Sequence, residues 1–312
     1  MEPNRKRLRL DTENGIEIKK SNLKCILPDY LFEDIKTVEV FVGKILDKKQ
    51  IRKVIMDLNN LHPIPELQHL KRVNDGMILI CLSDGIDDVE CFLNKIGFNF
   101  ELLSNYEKLN VISTIPKTRK QFEEANKIWP CNFYEDKYLE KLISNSLFNN
   151  EELEMHEHWM ELAVCTARNS VDKVATVIVN PKNNEMLCAT SGDKSSHPLK
   201  HSVMIAIDIV AKLQGGGAWN MEKITSEQIV STDRSNLGDC PYLCTGYYVY
   251  TTHEPCIMCA MALIHSRVAR VFYSIPTENG ALGSLTKLHT IKSLNHHYEV
   301  FQGLLCNLCT NL

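Results

Sequence analysis

Two cysteines three residues apart, in the run Pro255-Cys256-Ile257-Met258-Cys259, are the side chains of this 312-residue sequence best suited to chemistry. They follow a stretch that reads as a strand and stand where a helix should open. In the first turn of a helix two thiols so spaced lie on one side, and the unpaired N–H groups and positive dipole end there stabilise thiolates. Such a pair clamps a metal or runs thiol–disulfide exchange, and the spacing alone leaves both open. A tetrahedral zinc needs further ligands. His201, at the head of another expected helix upstream, supplies one.

A His that opens a helix, then a strand, then Pro-Cys-x-x-Cys opening a second helix is the pattern of the zinc nucleobase deaminases, and the sequence resembles that superfamily. The runs His201-Ser202-Val203-Met204-Ile205-Ala206 and Glu254-Pro255-Cys256-Ile257-Met258-Cys259-Ala260-Met261-Ala262-Leu263 look most like the tRNA adenosine deaminases within the cytidine/deoxycytidylate deaminase superfamily. The resemblance makes His201, Cys256 and Cys259 the ligands of a Zn2+ ion. It implies a three-layer α/β/α deaminase fold with a mixed sheet.

One position departs from the pattern. Active members carry, two residues after the His, a Glu that takes a proton from the metal-activated water and delivers it to the base and the leaving amine. Here Val203 stands there, with no ionisable or hydrogen-bonding group. Loss of a general acid/base removes a factor of about 10²–10⁴, and one residue serving several transfers costs at least that. No catalytic residue is therefore expected. Glu254 precedes the cysteine motif in active relatives too and is no replacement base; Asp208 should project elsewhere.

With this substitution the chain is similar, over essentially its whole length, to the non-catalytic subunits of the eukaryotic heterodimeric tRNA deaminases, whose complexes convert the wobble adenosine to inosine. Pro241-Tyr242-Leu243-Cys244-Thr245-Gly246-Tyr247, Gly280-Ala281-Leu282-Gly283 and Leu294-Asn295-His296-His297 belong to the same similarity. The resemblance implies a homologous catalytic subunit and tRNA as partners, and residence in nucleus and cytoplasm. If zinc is structural here, Cys306, Cys309 or the C-terminal carboxylate of Leu312 are candidates for a fourth ligand, with water the alternative. Two other functions stay open: an independently active deaminase with a relocated general acid/base, and a zinc-stabilised interaction module with no tie to deamination.

The elements that must hold these residues follow from composition and patterning. At 35.6 kDa, with 44% hydrophobic and 24% charged residues, the chain predicts two globular domains. No apolar run approaches the roughly 18 to 20 residues of a membrane span, so no membrane partner is expected. Twelve cysteines read as reduced thiols and metal ligands in an intracellular protein. Net charge is −4, so nucleic acid must be met by local basic patches.

A basic, polar tail over 1–30 precedes a domain over 31–130, a linker over 131–150 and the deaminase-like domain over 151–312. In the first domain, strands at 37–42, 67–73, 77–82 and 110–114 alternate with helices at 47–61 and near 88–96. That β-α-β-β-α-β order predicts a ferredoxin-like α+β unit, the candidate tRNA-binding domain. In the second, helices begin near 151, 201 and 256, strands are expected at 175–180, 185–190, 247–252 and 268–274, and 218–239 reads as an insertion. Candidate RNA contacts are Arg5, Lys6, Arg7 and Arg9 of the tail, Lys48, Lys49, Arg52 and Lys53 of the first helix, and Lys117, Arg119 and Lys120 beyond it. Each cluster alone also reads as an ordinary solvated face.

Overall fold

The computed structural model of the chain describes residues 23–219, 242–310 and 312. The basic tail with Arg5, Lys6, Arg7 and Arg9 lies outside the described residues, as do Cys240 and all but the first two positions of the expected 218–239 insertion. The chain divides into two units, Pro28–Ser144 and residues 23–27 with Asn145–Leu312. Strand β1 (Lys24–Cys25) belongs to the second of these and pairs antiparallel at its sheet edge. The last residues of the expected polar tail thus serve as structure, because Leu23, Cys25 and Leu27 are buried.

In the first unit β2 (Thr37–Ile45) leads to helix α1 (Ile51–Leu61), entered through a 3-10 turn whose cap is Asp47, accepting from the Lys49 N–H at 2.9 Å. Val54 and Leu58 of α1 are fully buried. The expected strand over 67–73 is reduced to β3 (Val73–Asn74): Pro65 starts a 3-10 turn at Pro65–Leu67, and Leu67 and Leu70 enter the core from that turn and its exit. Asp75 and Gly76, both at positive φ (47° and 81°), close the tight turn into β4 (Met77–Leu82). Asp88 caps α2 (Val89–Lys95) by accepting from the N–H groups of Glu90 and Cys91, and β5 (Leu103–Ile112) completes the sheet. The strand order β3-β4-β2-β5, antiparallel throughout, is that of the ferredoxin-like split unit. Two further helices, α3 (Arg119–Ile128) and α4 (Lys137–Ile143), finish the unit. The second lies inside the expected linker.

The second unit opens with α5 (Asn150–Arg168), whose Asn149 and Glu152 form a reciprocal capping box. Then come β6 (Ala175–Asn180), β7 (Glu185–Ser191), α6 (Ser202–Leu213), β8 (Tyr248–His253), α7 (Ile257–His265), β9 (Arg270–Ile275), β10 (Glu299–Gln302) and α8 (Cys306–Cys309). The sheet runs β1-β10-β9-β8-β6-β7, parallel from β8 through β10 and antiparallel elsewhere, and so is mixed.

Strand alternation separates its two faces. Val249, Val271 and Val300 join Ile205, Ala206, Ile209, Ala260 and Leu263 of α6 and α7 in one core. On the opposite face His156 of α5 packs on Tyr250 and Phe272, with Nδ1 of His156 2.8 Å from the Tyr250 hydroxyl. This is the three-layer α/β/α arrangement, with the parallel strands aiming α6 and α7 at one end of the sheet.

Candidate metal centre

The two helices that flank the sheet on one face begin side by side. His201 and Cys256 are the N-cap residues of α6 and α7, both in extended backbone, and neither uses its side chain to cap its own helix. Those side chains are therefore available at the positive ends of two helices. The start of α6 is tied to the sheet: the hydroxyl of Ser202 pairs with that of Thr176 at 2.8 Å, and the Thr190 hydroxyl donates to the Ser202 carbonyl at 2.9 Å. The start of α7 is tied to the loop that follows β9, where the Ala281 N–H donates to the Pro255 carbonyl at 2.8 Å and Cys256 pairs with Gly280.

Nδ1 of His201 lies 3.6 Å from Sγ of Cys256 and 3.6 Å from Sγ of Cys259, and the three donor atoms fall within 4.8 Å of one another. Zinc bonds of about 2.3 Å to sulfur and 2.0–2.1 Å to nitrogen, at the tetrahedral angle, place N and S about 3.6 Å apart. The donor set and its spacing thus fit a zinc ion. A third donor equidistant from both sulfurs is what a metal needs and a dithiol redox pair does not. The Cys256 thiol is held down to about 5, first by the hydrogen bond from Cys259 and then by the neighbouring His201, against the opposing effect of burial. Cys259, its partner in that bond and itself buried, is pushed up.

Of the candidate fourth ligands, the two cysteines are not brought here. Cys306 and Cys309 lie on α8; Cys309 is buried, hydrogen-bonded to Ser274 and pushed up to about 11 chiefly by burial, and neither thiol joins the cluster of three. Leu312 belongs to the same turn, its N–H donating to the Cys309 carbonyl. The chain end folds back, with α8 against the end of β9.

A cavity of about 300 Å³ opens beside the three candidate ligands, and Val203 lines it, 3% exposed and packed in the core shared by α6 and α7. The position that would hold the proton shuttle is thus beside the candidate metal, and it is a hydrocarbon. Glu254, the nearest carboxylate in sequence, is fully occupied. Its Oε1 accepts from the N–H groups of Leu282 (2.8 Å) and Ser284 (3.0 Å), and its Oε2 from the Thr277 N–H (3.1 Å) and the Ser284 hydroxyl. A Cβ on Gly280 would fall 2.1 Å from its Cδ, so glycine is the residue that lets the loop close over this carboxylate. Asp208 projects towards the other end of α6, pairing with Lys212 at 2.8 Å and accepting from the Ala218 N–H at 2.6 Å.

Sequence reasoning missed Asp172, Lys194, His253, Glu278 and Asn279, which line the same cavity. They sit in connecting segments and at a strand end with no spacing to mark them. Asp172 accepts from the Lys194 N–H at 3.2 Å, and burial followed by the Lys194 charge lowers the pKa of His253.

The basic clusters of the first unit are placed differently from one another. Lys48, Lys49, Arg52 and Lys53 are all exposed at the N-terminal end of α1. Lys117 and Lys120 are exposed near the start of α3. Arg119 is committed within the unit, its guanidinium 3.4 Å from Glu123 and 3.2 Å from Glu135, and is withdrawn as a free phosphate contact.

Residues 153–275 match the family model described as the cytidine and deoxycytidylate deaminase zinc-binding region, and residues 38–129 match the tRNA-specific adenosine deaminase TAD3 N-terminal domain. A Danio rerio protein named "Probable inactive tRNA-specific adenosine deaminase-like protein 3" is 36% identical, covering 92% of this chain and 93% of its own. The Homo sapiens protein of that name is 34% identical over 88% of this chain and 87% of its own. The Saccharomyces cerevisiae "tRNA-specific adenosine deaminase subunit TAD3" is 28% identical over 95% of this chain and 93% of its own.

Proposed function

Because the chain belongs to the family of tRNA-specific adenosine deaminase-like 3 and TAD3 proteins, we propose that it is the non-catalytic, zinc-holding subunit of a heterodimeric tRNA adenosine deaminase. The complex converts the wobble adenosine to inosine, and the homologous partner supplies the general acid/base. The observation behind this reading is Val203, which lines the cavity beside His201, Cys256 and Cys259. A zinc ion held by His201, Cys256 and Cys259 would supply Lewis acidity. The chain's own residues supply the three ligands and a closed loop over Glu254. They place no carboxylate at position 203 to take a proton and give it back.

The exposed cations at the head of α1, with Lys117, Lys120 and the basic tail, are the proposed tRNA contacts of this subunit. Contacts of that kind go to phosphates, so affinity should fall steeply with salt. The test compares inosine formation at the wobble position by this chain alone, by a homologue with an intact His-x-Glu alone, and by the two co-purified. Activity confined to the mixture supports an obligate subunit. Turnover by this chain alone would move the proton shuttle to another group, with Asp172 and Glu278 the carboxylates to replace first.

A further inference from the structure

Helix α8 is a second Cys-x-x-Cys, Cys306-Asn307-Leu308-Cys309, away from the candidate metal centre. Leu304 and Leu305 before it are buried, and Leu305 lies in the left-handed region at φ 52°. A leucine keeps that backbone only where its surroundings hold it, so these two buried side chains fix the direction in which the turn starts. The Leu308 N–H closes onto the Leu305 carbonyl at 3.0 Å. Thr310 closes the other end, its N–H and its hydroxyl donating to the Cys306 carbonyl at 3.0 and 2.9 Å.

The two thiols of this turn are placed unequally. Cys309 is 2% exposed and lies against Ser274 of β9, whereas Cys306 is partly open to solvent. Both are free thiols. Residues three apart in a helical turn have Cα atoms about 5 Å apart, inside the roughly 4.4–6.8 Å that a disulfide spans. An accessible thiol one turn from a buried one suits thiol–disulfide exchange: the outer sulfur meets the reagent, and the inner sulfur need only reach the outer one. Cys91 and Cys165 are more exposed than Cys306, but neither has a cysteine three or four residues away. A mixed disulfide formed on either has no neighbour in its own turn to displace it.

We propose that Cys306 and Cys309 form a reversible redox site that takes small disulfides of the glutathione class. The Cys306 thiolate attacks one sulfur of the small disulfide; that S–S bond breaks, and the first small thiol leaves, taking up the proton that Cys306 released. Sγ of Cys309 then attacks Sγ of Cys306, the mixed disulfide breaks, and the second small thiol leaves with the Cys309 proton. One S–S bond is made in the protein and one is lost from the reagent, so two protein thiols are oxidised while the small disulfide is reduced to two thiols. The site belongs to the second unit alone and does not rest on the function proposed above.

The test incubates the full-length, zinc-loaded chain with glutathione disulfide, quenches with acid at intervals and maps the products by peptide mass spectrometry. The wild-type chain should form a Cys306–Cys309 disulfide that dithiothreitol reverses, while Cys91 and Cys165 stop at the glutathione adduct. Cys309→Ser should arrest the exchange as an adduct on Cys306, populated at least about tenfold more than in the wild type, because a thiol one turn away resolves it at an effective concentration of roughly millimolar or above. Cys306→Ser should leave the buried Cys309 unmodified. An adduct that persists on Cys306 in the wild type, an adduct on Cys309 in Cys306→Ser, or free thiols at both positions while Cys91 and Cys165 react would each overturn the proposal. Should a serine variant fail to fold, the wild-type time course decides: a transient adduct on Cys306 giving way to the internal disulfide supports the site, and its absence removes it.

Discussion

Replacing Glu254 by Gln tests whether the loop over the candidate metal centre is held by one buried carboxylate. The native group receives four hydrogen bonds, two on each oxygen. A Gln of the same shape keeps one carbonyl oxygen, best used towards the N–H groups of Leu282 and Ser284, and turns its NH2 towards the Thr277 N–H and the Ser284 hydroxyl. The hydroxyl can rotate to accept; the Thr277 N–H cannot, and is left facing another donor. One orphaned donor costs about 1–3 kcal/mol, and the two retained bonds lose their charge assistance, so the expected loss is about 2–4 kcal/mol. Because Gly280 and Ala281 of that loop pair with Cys256 and Pro255, the loss should also appear as weaker zinc binding. Urea denaturation of the zinc-loaded variant, with zinc affinity by chelator competition, measures both. A change below about 0.5 kcal/mol with unaltered zinc affinity would refute the clamp.

Stability should fall on acidification through two buried histidines. His156 is lowered to about 3 by burial and then by Arg270, and His289 to about 4, chiefly by burial. Below the ordinary value of about 6.5 the unfolded chain binds protons that these native rings refuse. Their contribution is thus complete above pH 6.5 and is lost by up to about 1.4 kcal/mol per pH unit for each, down to about pH 4 for His289 and pH 3 for His156. Urea midpoints at pH 7.5 and 5.5 should show it, and His156→Phe should shrink the difference; an unchanged difference would remove His156 from the explanation. X-ray absorption of the zinc-loaded chain should count two sulfurs, and Cys306→Ser with Cys309→Ser should leave that count unaltered; a third sulfur would restore a cysteine as fourth ligand. Alanine at Lys48, Lys49, Arg52 and Lys53 together should flatten the salt dependence of tRNA binding by up to about three to four units of slope, whereas Arg119→Ala, already paired with Glu123 and Glu135, should change it little. Equal effects per residue would undo that distinction.

The candidate metal ligands were legible because their chemistry is local: each stands at the head of a helix whose start is marked by its own residues. Much of the first unit was legible for the same reason, since Asp47, Asp88 and the Asp75-Gly76 turn cap or close elements without distant help. Elements that depend on partners far along the chain were not. β1 is two residues long and exists because β10 pairs with it, and β10, four residues near the end, lies beside β9 only in the folded sheet. Apolar spacing misled at 67–73, where Leu67 and Leu70 reach the core from a 3-10 turn that Pro65 begins. The rest of the cavity was hidden because Asp172, Lys194, His253, Glu278 and Asn279 converge from separate segments.

The most direct measurement of where proton transfer resides is single-turnover inosine formation by the reconstituted complex after the His-x-Glu glutamate of the catalytic partner is replaced by Ala, with this chain left wild-type and zinc-loaded. If Val203 means what its position implies, inosine formation falls to the uncatalysed background although His201, Cys256 and Cys259 are intact. Persistent turnover in that complex would show that this chain deaminates adenosine itself and that another group replaces the missing glutamate.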